Sequence, residues 1–255
     1  GRIAGLFGMV RAERPGAVLA LDNGDTFHGT HPAVASKGEA LVRLTNALAL
    51  DAMTAHWEFA WGPDHFRNLV TRLTYPMLAI NCYEMETGKR PFPSSRIVER
   101  AGLRIGVIGI AATILDKTMP PHFSTGLRFT IGDDALPAEI QCLRHHHHAD
   151  LIVVLSHLGL PQDIKLAAAV DGIDVLLSGH THDRLTEPII VNGAVIIQSG
   201  CHGAFIGRLD LAVGDRKVEV ERHQLIAIDE TITPDPAMTM LVDGVMAPYR
   251  DMLET

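Results

Sequence analysis

Val175-Leu176-Leu177-Ser178-Gly179-His180-Thr181-His182 is an apolar run that ends in two imidazoles at i and i+2. The run reads as a buried strand, and Gly179 relieves crowding where the strand gives way to a loop. Neutral imidazole suits Zn, Fe, Cu and Ni, so the pair is a candidate metal site. Taken alone, it fits a chance surface pair as well. The weight comes from upstream, where other apolar runs end in residues of the same kind: Asp22 and Asp25 after Ala17–Leu21, and His157 after Val153-Val154-Leu155-Ser156. Polar groups at the carboxyl ends of strands are where α/β folds place their sites.

Between these runs the pattern alternates. Lys37 to Leu50 reads as a helix with Ser36 as its cap, Pro63 to Leu73 as a second, and Met77 to Asn81 as a short strand. Ile97–Glu99 and Arg104–Ile110 flank Ala101-Gly102, a hairpin signal. Asp133–His146 and Pro161–Val170 read as helices on either side of the strand Leu151–Ser156. From Pro188 onward the pattern changes to consecutive strands, Ile189–Val191, Ala194–Gln198, Arg208–Val213 and Lys217–Ile226. Asp235-Pro236 then opens a final helix that reaches the end of the chain. The layout predicts an α/β fold of two mixed sheets packed together with helices outside.

Composition narrows the function classes. The chain has 255 residues, a net charge of −8 and 47% hydrophobic residues. No apolar run reaches the roughly 18 residues of a membrane span, and no basic block suggests a nucleic-acid polymer as partner. Small phosphorylated substrates remain compatible, because a bound cation reverses the local field. Three separated cysteines give no CxxC pattern. The tract His145–His148 reads as a solvated helix end.

Each candidate has a plain structural alternative: a helix cap or Asx-turn for Gly24-Asp25, a satisfied strand-end histidine for His157, and a loop with an aromatic anchor for His56-Trp57-Glu58. Together and in order, Gly24-Asp25, Ala55-His56-Trp57-Glu58, Ser156-His157 and Gly179-His180-Thr181-His182 resemble the calcineurin-like metallophosphoesterase superfamily, closest to its 5'-nucleotidase branch. That branch shows GDxFxGS, GNHEFD, a strand-end histidine and GHTH. The resemblance implies a four-layer αββα sandwich with two divalent metal ions (Mn, Zn or Fe) and a small phosphorylated substrate such as a nucleotide. It assigns Asp25 to bridge both ions, His157 and His180 to the second ion, and His182 to the first. His56 stands at the family's Asn ligand; a ligand role is expected, the alternative being a ring that turns to act as the acid. His28, His31 and His65, beside the motifs, are candidates for touching substrate, and Cys201-His202 either lies near the metal face or packs under it.

Three departures bear on activity. No DxH, which supplies two ligands to the first ion in the family, is found in the N-terminal segment; Gly1 falls in what matches the family's first helix. Trp57 stands at the catalytic histidine and Ala60 at its Asp partner, and neither can protonate a leaving group. The His56-Trp57-Glu58-Phe59 loop is similar to that of Sox-pathway thiosulfohydrolases, which cleave a sulfur–sulfur bond on a carrier protein. Gly159-Leu160-Pro161-Gln162-Asp163, in contrast, looks nucleotidase-like. A metallophosphatase domain over 1–235 is expected, with 236–255 starting a linker helix toward a further domain. The expected activity is phosphate-monoester hydrolysis; a thiosulfohydrolase-like enzyme and a catalytically impaired metal-binding domain are the competing readings. The resemblance implies a periplasmic or secreted protein.

Overall fold

A computed structural model describes residues 1–214 and 217–250. The chain opens with helix α1, Arg2–Glu13, and continues through β1 (Leu21–Asp22), α2 (His31–Ala35), α3 (Glu39–Ala47), β2 (Ala52–Met53) and α4 (Pro63–Val70). Strands β3 (Cys82–Glu84), β4 (Ser95–Arg100), β5 (Leu103–Ile110) and β6 (Leu127–Phe129) follow. Next come α5 (Leu136–His145), β7 (Leu151–Ser156), α6 (Leu160–Ala169) and β8 (Val175–Leu177). The last elements are β9 (Ile189–Val191), β10 (Ala194–Ile197), β11 (Phe205–Gly214), β12 (Lys217–Ala227) and α7 (Pro236–Met246).

Six strands form one mixed sheet in the order β4-β5-β7-β8-β10-β9, parallel from β5 to β10 and antiparallel at both edges. Both faces are apolar with period two, as a sheet covered on both sides requires. Leu151, Val153 and Leu155 of β7 face one cluster, with Ile105, Val107 and Val175. Ile152 and Val154 face the other, with Leu136, Ile140 and Leu143 of α5 and Leu166 and Ala167 of α6. A third cluster packs Val42 of α3 and Phe66 and Leu69 of α4 beneath Ala20 and Met53. Three apolar interfaces are what an α/β sandwich of four layers needs.

The second β layer consists of separate pairs, β1 with β2, β3 with β6, and β11 with β12. A cavity of about 890 Å³ opens along it, with Leu19 and Leu21 on one wall and Leu209 and Leu211 on the other. This accounts for the largest departure from the expected elements. The strand expected over Ala17–Leu21 is paired only at Leu21–Asp22, on the β2 side, because its other flank faces the cavity. α1 covers the cavity, and the bidentate pair from Arg208 Nη1 and Nη2 to Glu13 (2.7 and 2.8 Å) ties it to β11.

Local capping explains the smaller corrections. Thr30 Oγ1 accepts from the Ala33 amide and starts α2, a single turn not foreseen in the sequence. Ser36 ends α2, and α3 starts after Gly38 in the left-handed region (φ 86°), so the expected helix from Lys37 begins later. Met77 to Asn81 runs buried and makes one bridge, to Met53, without forming a strand. The hairpin between β4 and β5 forms as expected, with positive φ at Ala101 and Gly102 matching a type I′ turn. Asp235 caps α7 by accepting from the Met238 amide at 2.6 Å. Of that helix's expected course, residues 251–255 lie outside the described residues.

Candidate metal centre

Parallel register brings the motifs together. Asp22 pairs with Met53, and three residues further along each strand come Asp25 and His56. Leu155 pairs with Leu177, which sets Ser156 beside Ser178 and His157 beside Gly179, one residue before His180. Asp25, His56, His157 and His180 thereby converge, each offering a ligand atom within 4.8 Å of the others. His182 lines the same cavity but lies outside this group of four.

Glycines permit the approach. A Cβ on Gly24 would stand 2.9 Å from the Thr54 carbonyl oxygen and 3.0 Å from the Ala55 Cα. One on Gly179 would stand 3.0 Å from the Asn23 Cβ and 3.2 Å from His157 Nδ1. The Asx-turn considered for Asp25 is made by Asp22 instead. Asp22 Oδ1 accepts from the Gly24 amide at 3.0 Å and its carboxylate from Thr26 Oγ1, leaving Asp25 turned toward the histidines. Asp25, His180 and His182 all hold left-handed backbone (φ 63°, 78° and 61°). Such strain in residues other than glycine clusters at functional sites.

The donor atoms fit a cation. His56 Nδ1 lies 3.1 Å from Asp25 Oδ1, and His157 Nε2 lies 3.2 Å from Asp25 Oδ2. Yet neither ring nitrogen is aligned for a hydrogen bond, and both are buried. His157 Nδ1 sits 2.6 Å from the Asn23 carbonyl oxygen, which can only accept. Nδ1 therefore carries a proton, which leaves Nε2, facing Asp25, as the atom through which His157 would ligate a metal. Burial works against the Asp25 anion, but the His157 and His56 rings outweigh it and hold the carboxyl well below its usual range. Burial, helped by neighbouring His157 and His56, lowers His180 to about 4, so its ring is neutral and able to ligate at neutral pH. Three imidazoles and a carboxylate suit Zn, Fe or Mn better than Ca or Mg.

Three residues given no role of their own in the sequence support the site. Asn23 Nδ2 donates to the carbonyls of Ser156 (3.0 Å) and Leu177 (2.8 Å), clamping the ends of β7 and β8. Glu58, fully buried, accepts from the amides of Thr26 (2.6 Å), Phe27 (3.4 Å) and His56 (2.7 Å). Asp163, in the first turn of α6, accepts from Ser156 Oγ and Ser178 Oγ at 2.6 Å each. Its only sequence signal was its place in the 159–163 stretch.

Burial raises the Asp163 carboxyl to about 7, against the pull of its two serine hydrogen bonds. In the unfolded chain it titrates near ~4. Between those values the native state binds the extra proton, so the stability that Asp163 contributes falls as pH rises from 4 to 7 and levels off above. The slope amounts to at most one proton, about 1.4 kcal/mol per pH unit. Chemical denaturation across that range should give Asp163→Asn a dependence on pH more positive than the wild type's by up to this amount; equal slopes would remove the assignment.

The remaining candidates divide. The Trp57 ring stacks on His28 at 4.5 Å and meets Phe123 edge-on at 5.5 Å, and its amide donates to Asp25 Oδ1 at 3.1 Å. Trp57 thus packs on the core and lines the cavity, as does His28 on its outer side. His65 faces away, 2.7 Å from the Lys37 carbonyl oxygen. Ala60 is buried, and its carbonyl accepts from His122 Nε2 at 3.1 Å. His145–His148 are exposed at the end of α5. His202 stands edge-on to His182.

No family model matches the chain. The 5'-nucleotidase of Vibrio cholerae is 25% identical over 250 residues, covering 84% of this chain and 44% of that protein. The sulfate thiohydrolase SoxB of Thermus thermophilus superposes with a TM-score of 0.93 at 27% identity, over 98% of this chain and 47% of that one. The calcineurin-like phosphoesterase YfkN of Bacillus subtilis, at 18% identity, shares the fold with a TM-score of 0.81 over 99% of this chain and 89% of that one. The chain spans about half the length of the curated relatives it matches. It carries the calcineurin-like phosphoesterase fold and is a homologue of the 5'-nucleotidase and SoxB proteins, fitting the N-terminal domain of the 5'-nucleotidase family.

Proposed function

We propose that this chain is the metal-binding domain of a 5'-nucleotidase-like hydrolase that cleaves phosphate monoesters such as nucleotides at a dinuclear metal centre. The observation that carries the reading is the convergence of Asp25, His56, His157 and His180, with ring nitrogens aimed at the carboxylate but not bonded to it. Divalent ions held there supply Lewis-acid charge to phosphoryl oxygens and lower the pKa of water. Asp25 would be shared between the two ions, with His56, His157 and His180 holding one and His182 the other. His56 is a ligand and not an acid: its ring is buried between Asp25, His157 and His180, and its amide is fixed by Glu58. The Trp57 amide orients Asp25, and the neutral His28 ring, stacked over Trp57, walls the substrate side. The protein works in the periplasm or outside the cell.

The likeness to SoxB, together with Trp57 in place of an acid, favours a second reading as a thiosulfohydrolase-like enzyme acting on a carrier-protein cysteine. Protein loaded with manganese or zinc should release phosphate from nucleoside 5'-monophosphates. Sulfate release from an S-sulfonated cysteine peptide, without phosphatase activity, would move the assignment to the second reading. A metal-loaded protein inactive on both is a binding domain, and the hydrolase reading is then wrong.

A further inference from the structure

We propose that Asn23 is the positioning residue of the centre: its side chain sets the loops of Asp25, His157 and His180 against one another, and its main-chain carbonyl holds the His157 ring with Nε2 free to ligate. The inference rests on the reading above in taking these three residues as ligands.

The bonds of one amide reach two further strands. Asn23 follows β1 directly and stands two residues before Asp25. Its Nδ2 donates both protons, one to the Ser156 carbonyl at 3.0 Å and one to the Leu177 carbonyl at 2.8 Å. Ser156 ends β7 immediately before His157, and Leu177 ends β8 three residues before His180. β7 and β8 are parallel neighbours, so the two carbonyls stand at matching ends of adjacent strands. Gly179 leaves room for the amide, since a Cβ there would stand 3.0 Å from the Asn23 Cβ. Asp163 also ties β7 to β8, through Ser156 Oγ and Ser178 Oγ, but it has no bond to the Asp25 loop. Among the described residues, Asn23 is the side chain that joins all three.

The peptide between Asn23 and Gly24 is held from both sides. Its N–H donates to Asp22 Oδ1 at 3.0 Å, and its carbonyl oxygen lies 2.6 Å from His157 Nδ1. A carbonyl only accepts, so it keeps a proton on Nδ1. On the other side of the ring, Asp25 Oδ2 stands 3.2 Å from Nε2 and competes for that proton. A neutral imidazole has one proton: on Nε2 it blocks ligation through that atom, and on Nδ1 it permits it. By fastening its own residue to the ends of β7 and β8, the Asn23 amide keeps the carbonyl in reach of Nδ1 and decides the competition. A histidine whose second nitrogen donates to a fixed carbonyl is both oriented and made more basic toward a metal.

The first arm of the test needs no metal. Asn23→Leu keeps the bulk of the side chain and removes both donors, and Asn23→Ala is the second variant. NMR of nitrogen-labelled protein at alkaline pH reports which ring nitrogen of His157 carries the proton, the signal being assigned by its loss in His157→Gln. The expected result is Nδ1–H in the wild type and a shift of the proton toward Nε2 in both variants. The second arm is a cobalt titration, with His145–His148 changed to alanine so that the exposed tract does not compete. Affinity should fall about 10–100-fold in both variants, with altered absorption bands. Nε2–H in the wild type, Nδ1–H retained in both variants, or unchanged cobalt affinity overturns the proposal, even if the variants melt at a lower temperature, because a scaffold role alone lowers Tm and leaves the tautomer in place. A tautomer that switches as expected in a protein that takes up no cobalt upholds the hold on His157 and overturns the reading of the four residues as a metal centre.

Discussion

Asp25→Ala should lower affinity for manganese or zinc at the centre by at least ~1000-fold, beyond the 10–100-fold lost when a partner of a ligand is removed. The carboxylate is the only anion among the four converging groups, and its two oxygens each face a different histidine, 3.1 Å from His56 and 3.2 Å from His157. Without it, three imidazoles face one another with no anion to offset a divalent ion. On the proposed bridging role, both ions should be lost together. Asp25→Asn tolerates the φ of 63° and keeps the shape while removing the charge, and it should lose nearly as much. Calorimetric titration measures the change, with circular dichroism confirming the fold. Wild-type affinity in either variant would show that the ion sits elsewhere.

Glu58→Ala should cost about 3–5 kcal/mol of stability, a fall in Tm of roughly 10–15 °C for a domain of this size. The reason is the number of donors left stranded. The Glu58 carboxylate accepts from three backbone amides, those of Thr26, Phe27 and His56, and the side chain is 1% exposed, so water cannot replace it. Each buried donor without a partner costs about 1–3 kcal/mol. These bonds also join the loop that carries Asp25 to the loop that carries His56, so metal affinity should drop together with stability. Glu58→Gln keeps one acceptor oxygen and should fall in between. A melting temperature within 2–3 °C of wild type for Glu58→Ala would contradict this account.

Short apolar strands were the most legible part of the sequence. Leu151–Ser156 and Ile189–Val191 match the structure residue for residue, because each is a short apolar run bounded by polar or turn residues. Asp25, His56, His157, His180 and His182 could be chosen as a set because parallel strands align their carboxyl ends, and a local motif at each end is then a position in space; the first four converge. What stayed hidden depends on partners far along the chain. How much of Ala17–Leu21 is paired depends on what flanks β1, not on its own residues. Asp163 looks like an ordinary acidic residue in the first turn of a helix, where the macrodipole favours one; only the β7–β8 register shows that two serines converge on it.

Anomalous X-ray scattering from crystals soaked in zinc tests the central claim most directly. The account predicts a peak within about 2.0–2.2 Å of a nitrogen of each of His56, His157 and His180 and of an Asp25 oxygen. Zinc found only at the exposed His145–His148 tract, with no peak among these four residues, would contradict it.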